Sequence, residues 1–228
     1  MKTTKKLFFV RHAQSIGNMM SHDERACCET PNHAYPLTPL GRKQAEITGQ
    51  YLKSLASMRF DAFFHSTFVR TKETLEIVLR TLGRETVPTC DSRLDEKWDG
   101  IFHELSKAEL QIRYPEQIRL RKRAGYYHFR APGGESCPDV ELRIRSFLQE
   151  YRTSDCEQAL VVGHGRWILL AQKIIQKLSV EQFLESKERE ACQNCSVTTF
   201  SLSNDSEMVL EAVTPWKGKL VEVKTELA

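Results

Sequence analysis

Two short apolar runs, far apart in the chain, end in the same way. Leu7-Phe8-Phe9-Val10 stops at Arg11-His12-Ala13, and Ala159-Leu160-Val161-Val162 stops at Gly163-His164-Gly165. Each run reads as a buried strand. Each then delivers a histidine into small and polar residues, which is where an open α/β sheet places its chemistry, at the carboxyl ends of its strands. A cation at Arg11, an imidazole at His12 and an amide side chain at Asn18 suit an anionic substrate. Arg70 lies between the two runs in sequence, so a phosphate-handling site is the leading expectation.

The rest of the chain alternates strand and helix signals. Strands are expected over 6–10, 60–65, 86–89, 159–163, 197–202 and 208–212. Helices are expected from Thr38, over 66–82, 104–113, 135–151 and 167–176. Thr38 can cap the first of these, with Pro39 at its first position, and Gly83 can end the second. This alternation implies a three-layer α/β/α fold, a mostly parallel sheet covered on both faces. The polar stretch 19–37 and the segment 114–132 do not fit such a core, so both are expected to wall or cover the site.

A chain of 228 residues is read as one domain spanning 1–228. Its net charge of +3 is too small to argue for a nucleic-acid partner, and no apolar run approaches the roughly 20 residues of a membrane span. The basic start, Met1 to Lys6, precedes an apolar run too short for a signal peptide. Seven scattered cysteines do not resemble a disulfide framework, which points to reduced thiols and a cytoplasmic setting. Cys192-Gln193-Asn194-Cys195 could be half a zinc site or a redox pair, but no second pair or nearby histidine completes a metal set. The plainer reading is two ordinary thiols at the start of a strand.

Several motifs, taken in order, resemble the histidine phosphatase superfamily, the phosphoglycerate mutase-like proteins. They are Arg11-His12-Ala13 with Asn18, Leu37-Thr38-Pro39-Leu40-Gly41, Ser66-Thr67-Phe68-Val69-Arg70-Thr71, Arg93-Leu94-Asp95-Glu96 with Gly100, Pro132-Gly133-Gly134-Glu135-Ser136, and Val162-Gly163-His164-Gly165. The resemblance implies a nucleophile at His12 that forms a phosphohistidine. It implies phosphoryl binding by Arg11 and Arg70, charge stabilisation by His164, and a proton donor at Glu96, with Asp95 and Asp99 as lower-ranked rivals. Asn18, Ser15, Lys107, Arg123 and Gly165 are the expected substrate-binding residues. No metal or other cofactor is implied, and the expected partner is a small phosphorylated molecule. His65, beside Ser66, could also reach the pocket.

Each residue type fits its task. Arginine is planar, always charged and bidentate toward phosphate. Neutral imidazole is nucleophilic near neutral pH. A carboxylic acid can protonate a departing alcohol if it holds its proton. The basic run Arg119 to Arg123 reads either as a solvated helix face or as a catcher for a second anionic group on the substrate.

The superfamily contains phosphatases and cofactor-dependent mutases. Mutases typically carry Trp where this chain has Gly17, Tyr where it has Asp99, and Arg-Arg-Gly where it has Arg123-Ala124-Gly125. Lys107 matches a mutase lysine. The stretch from Glu29 to Thr38 is similar to a subgroup dominated by broad-range phosphatases and mutase-like proteins. The expectation is therefore a metal-independent phosphatase for phosphate monoesters. A phosphoglycerate mutase-type phosphotransferase is the alternative, and a non-catalytic binder of phosphorylated ligands ranks third.

Overall fold

A computed structural model describes residues 5–55, 59–189, 192–202 and 207–216. Most of the basic start lies outside the described residues. The strands are β1 (Lys6–Arg11), β2 (Ala62–His65), β3 (Thr89–Cys90), β4 (Gln158–Gly163), β5 (Val197–Leu202) and β6 (Met208–Thr214). The helices are α1 (Ile16–Met19), α2 (His22–Ala26), α3 (Pro39–Ser54), α4 (Val69–Leu82), α5 (Ile101–Glu104), α6 (Lys107–Arg113), α7 (Pro115–His128), α8 (Cys137–Thr153), α9 (Gly165–Ile175) and α10 (Val180–Arg189).

The sheet runs β3-β2-β4-β1-β5-β6. Four strands are parallel, and β5 and β6 add an antiparallel pair beside β1. Side chains alternate across it, as the two-residue period of a strand requires. Leu7, Phe9, Ala159 and Val161 pack on one face with Ile144 and Phe147 of α8, Trp167 and Ile168 of α9 and Phe183 of α10. Phe8, Val10, Leu160 and Val162 pack on the other with Leu52 of α3 and Leu75, Val78 and Leu79 of α4. The three-layer expectation is met.

Several expected boundaries move. Helix α4 begins at Val69, because Ser66 to Phe68 are spent in the turn that leads into it. The third strand falls at 89–90 instead of 86–89. The single helix expected over 104–113 is two, α5 and α6, separated where Ser106 caps α6 through the Glu109 backbone N–H. Helix α10 has no counterpart in the sequence reading, and neither does α7. Helix α7 is exposed along most of its length and interrupted at Gly125, whose φ of 75° is non-helical. It therefore carries no apolar face to betray it.

Candidate active site

Strands β1 and β4 are in register with Arg11 opposite Gly163, and the His12 backbone N–H donates to Gly163 O at 2.9 Å. The sheet pairing thus sets both histidines side by side at its carboxyl edge, with ring centroids 5.2 Å apart. Both are buried, His164 completely. Helix α4 brings in Arg70, also buried, at its second residue.

The hydrogen bonds fix the chemistry of His12. Its Nδ1 lies 2.8 Å from Ala13 O, which can only accept, so Nδ1 carries the proton. Nε2 then holds the lone pair, and Arg70 Nε donates to it at 3.2 Å. Burial, reinforced by the Arg70 and Arg11 charges, holds His12 well below the ordinary histidine pKa, so it is neutral. His164 is lowered in the same way, by burial and then by Arg70. Its Nε2 shares a 2.8 Å hydrogen bond with Ser66 Oγ, and its Nδ1 faces Arg70.

Two arginines supply charge. Arg70 Nη1 donates to Asn32 O at 2.7 Å, and the guanidinium stacks over the Phe68 ring. Burial lowers its pKa to about 10, which leaves it protonated at neutral pH. Arg11 Nη1 donates to Cys192 O, but its buried Nε has no acceptor among the described residues. Gly165 lies against it, and a Cβ there would stand 3.4 Å from Arg11 Nε, in van der Waals contact. Asn194 Nδ2 donates to His12 O at 2.8 Å, so the segment 192–195 closes over the end of β1. Its cysteines are free thiols, and burial raises both pKa values. Among the described residues no group of three or more His, Cys, Asp or Glu side chains is placed to hold a metal ion.

These residues open into a cavity of about 350 Å³ lined by Arg11, His12, Ser15, Asn18, Arg70, Glu96 and Gly165, with Asp99 and Arg166. Its outer wall includes His22, Arg25, Asn32 and Tyr35, so the 19–37 stretch does wall the site. Asn18 Oδ1 accepts from the Ser15 backbone N–H and hydroxyl.

Three carboxylates compete for the acid role, and their surroundings separate them. Asp95 lies outside the cavity lining and accepts from the Thr67 backbone N–H and hydroxyl, holding the turn before α4. Asp99 receives both Nη groups of Arg166, at 2.8 and 2.7 Å, and Lys97 Nζ at 3.0 Å. Burial would raise its pKa, but these cations together hold it well below the usual carboxylate range, so it carries no proton to give. Glu96 lines the cavity, and its one ion pair among the described residues is a loose one, 3.6 Å from Arg166 Nε.

The Glu96 loop is held from behind. Arg143 Nε and Nη2 donate to the Glu135 carboxylate at 2.9 and 3.0 Å. Arg143 also donates to the carbonyls of Arg93 and Asp95, and Glu135 accepts from the Trp98 backbone N–H. Gly100 has φ of 51°, and a Cβ there would meet Pro132 O at 2.1 Å. The Pro132-Gly133-Gly134-Glu135 motif is therefore the seat of the acid loop.

Lys107 and Arg123 are exposed and do not line the cavity. Lys107 begins α6, and its backbone N–H donates to Asp23. In the basic run, Arg121 stacks over the Phe102 ring, 4.9 Å from its centroid. His65 is buried and outside the cavity, its Nδ1 donating to Ser66 O. Sequence reasoning missed Arg166, Asn32, Tyr35, His103, Asn194 and the Ser66 contact. Arg166 alone had a signal, being two residues after His164.

A family model for the histidine phosphatase superfamily (branch 1) matches residues 7–214. The 2,3-bisphosphoglycerate-dependent phosphoglycerate mutase of Nitrobacter winogradskyi is 33% identical over 183 residues, 78% of this chain and 84% of that protein. Phosphoglycerate mutase-like protein AT74 of Arabidopsis thaliana is 30% identical over 198 residues, 78% of this chain and 60% of that one. Among solved structures, the alpha-ribazole phosphatase of Shigella flexneri superposes with a TM-score of 0.72 at 19% identity, covering 92% of this chain and 96% of that one. Mycobacterial glucosyl-3-phosphoglycerate phosphatase gives 0.72 at 23%, covering 93% and 99%. Sequence and fold agree: this chain belongs to branch 1 of the histidine phosphatase superfamily.

Proposed function

We propose that this protein is a metal-independent phosphatase that hydrolyses phosphate monoesters through a phosphohistidine at His12. The observation that carries this reading is the His12 ring, neutral, with its lone pair on Nε2 beside Arg70. Nε2 attacks phosphorus while the ester P–O bond breaks, and Glu96 gives its proton to the departing alcohol oxygen. Arg11, whose Nε has no acceptor among the described residues, and Arg70 bind the phosphoryl oxygens. His164 stabilises the charge that develops on them, and Asn18 adds a neutral donor. A water then attacks phosphorus and gives its proton to the Glu96 carboxylate. The P–N bond breaks, orthophosphate leaves, and both groups return to their starting states.

The alternative is phosphoryl transfer between phosphoglycerates, favoured by the mutase names of the sequence relatives. The two solved structures described above bear phosphatase names, so relatives of both kinds share features of this chain. Asp99 in place of a mutase tyrosine, and the exposure of Lys107 and Arg123, support hydrolysis. Phosphate release from a panel of monoesters, measured with and without 2,3-bisphosphoglycerate, tests the choice. Hydrolysis independent of the bisphosphate supports the phosphatase, and interconversion of 3- and 2-phosphoglycerate faster than hydrolysis overturns it.

A further inference from the structure

The cavity has two ends of different electrical character. At the phosphoryl end, Arg11 and Arg70 face the neutral imidazole of His12. The other end also holds Arg25 and Arg166, of which Arg166 is paired with a carboxylate and Arg25 meets only neutral carbonyls. Arg25 Nη1 donates to the carbonyls of Gly17 and Met20 at 3.0 and 3.2 Å. Arg166 spends both Nη groups on Asp99, and its Nε lies 3.6 Å from Glu96. His22 Nε2 meets Phe102 O, and burial keeps His103 below the ordinary histidine pKa. Phe102, Tyr35 and Leu169 complete this wall.

A carboxylate or second phosphate arriving at this end would find Arg166 occupied and Asp99 repelling it. Like charges in close approach repel, and more strongly in a cavity than in water. An uncharged tail meets no such opposition, and its hydroxyls have imidazole and carboxylate partners in reach of the wall.

We propose that Asp99 is a specificity-determining residue: by occupying Arg166 it withdraws that guanidinium from the leaving group, and so selects monoesters of uncharged, hydroxyl-bearing alcohols over esters carrying a second anionic group. This rests on the phosphatase reading for its reaction but not for its binding preference.

Glycerol 3-phosphate and 3-phosphoglycerate are a matched pair, differing chiefly in the carboxylate. We expect the unaltered protein to favour glycerol 3-phosphate about tenfold in kcat/KM, the scale of one unfavourable charge contact. Asp99→Asn should shift the ratio about tenfold toward 3-phosphoglycerate by freeing Arg166, and Arg166→Gln should shift it the other way by leaving Asp99 with Lys97 as its one cation partner among the described residues. A merely structural role would lower both esters alike in both variants, and that result, or a native preference for 3-phosphoglycerate, overturns the proposal. Calorimetric binding of the two esters to His12→Ala reads the same native preference without turnover, and adding Asp99→Asn or Arg166→Gln to that background reads the shifts. An inert enzyme would thus defeat the phosphatase reading while the binding ratios still decide this one.

Discussion

His12 and His164 stand 5.2 Å apart because the residues before them, Arg11 and Gly163, are register partners in adjacent parallel strands. The separation is set by the spacing between strands, not by loop conformation. Arg70 bridges the pair, with Nε on His12 Nε2 and Nη2 facing His164 Nδ1. A site built on sheet edges and a helix start is held more rigidly than one carried on loops.

Replacing the proposed nucleophile should be decisive. His12→Ala is expected to cut phosphate release from 4-nitrophenyl phosphate by about a hundredfold or more with the fold intact. Acid quenching of the unaltered enzyme during turnover should trap acid-labile phosphate on His12. An active His12→Ala protein ends the covalent route.

Leaving-group dependence isolates the acid. Glu96→Gln should slow an alkyl phosphate by about a hundredfold but 4-nitrophenyl phosphate only a few-fold, since nitrophenolate departs without a proton. Equal losses on both esters would remove Glu96 from the role. Asp99 would not inherit it, because Arg166 and Lys97 keep it ionised.

The histidines carry a pH signature. Both are held well below 6.5 by burial and by Arg70, so the folded protein binds fewer protons than the unfolded chain as pH falls below 6.5. Stability contributed by the neutral rings is complete above 6.5 and drains away from 6.5 down toward the folded pKa values. NMR titration of the imidazole carbons should place both midpoints under 6.5. A midpoint at or above that value would refute the neutral-nucleophile assignment.

The clamp behind the acid loop should matter for both stability and chemistry. Arg143 is 16% exposed and makes five hydrogen bonds to Glu135 and the carbonyls of Arg93, Asp95 and Glu96. Removing its charge with Arg143→Gln is expected to cost ~2–3 kcal/mol in urea unfolding. The kcat on alkyl phosphates should fall more than on 4-nitrophenyl phosphate, as Glu96 loses its fixed position. An unchanged ratio would confine Arg143 to folding.

Arginine and histidine supply the positive charge proposed to act on the phosphoryl group. EDTA should therefore leave the rate unchanged. Inhibition by the chelator, reversed by a divalent cation, would require a different pocket chemistry.

Much of the site was legible because a strand exposes its end residues in a fixed way. An apolar run followed at once by Arg-His or Gly-His marks a covered strand reaching a polar edge. The order of motifs located Arg70 and Glu96. What stayed hidden depends on contacts that sequence spacing does not encode. Asp99 and Arg166 meet from an acid loop and a helix start 67 positions apart. Asn194 reaches the His12 carbonyl from the far end of the chain. Helix α7 escaped notice because it buries almost nothing. Lys107 and Arg123 resembled binding residues by position, yet each is exposed and outside the cavity lining.

Strand β1 waits long for its partners. Strand β1 lies at the middle of the sheet, yet its neighbours β4 and β5 begin at positions 158 and 197. While the chain is being synthesised, Leu7, Phe8, Phe9 and Val10 cannot pair with β4 before residue 158 has been made, nor with β5 before residue 197. Such distant pairing predicts slow folding and a vulnerable interval during translation. The catalytic edge is thus among the last parts of the molecule to exist, and a chain interrupted before residue 197 would carry the motifs around His12 and His164 without the strand that flanks them.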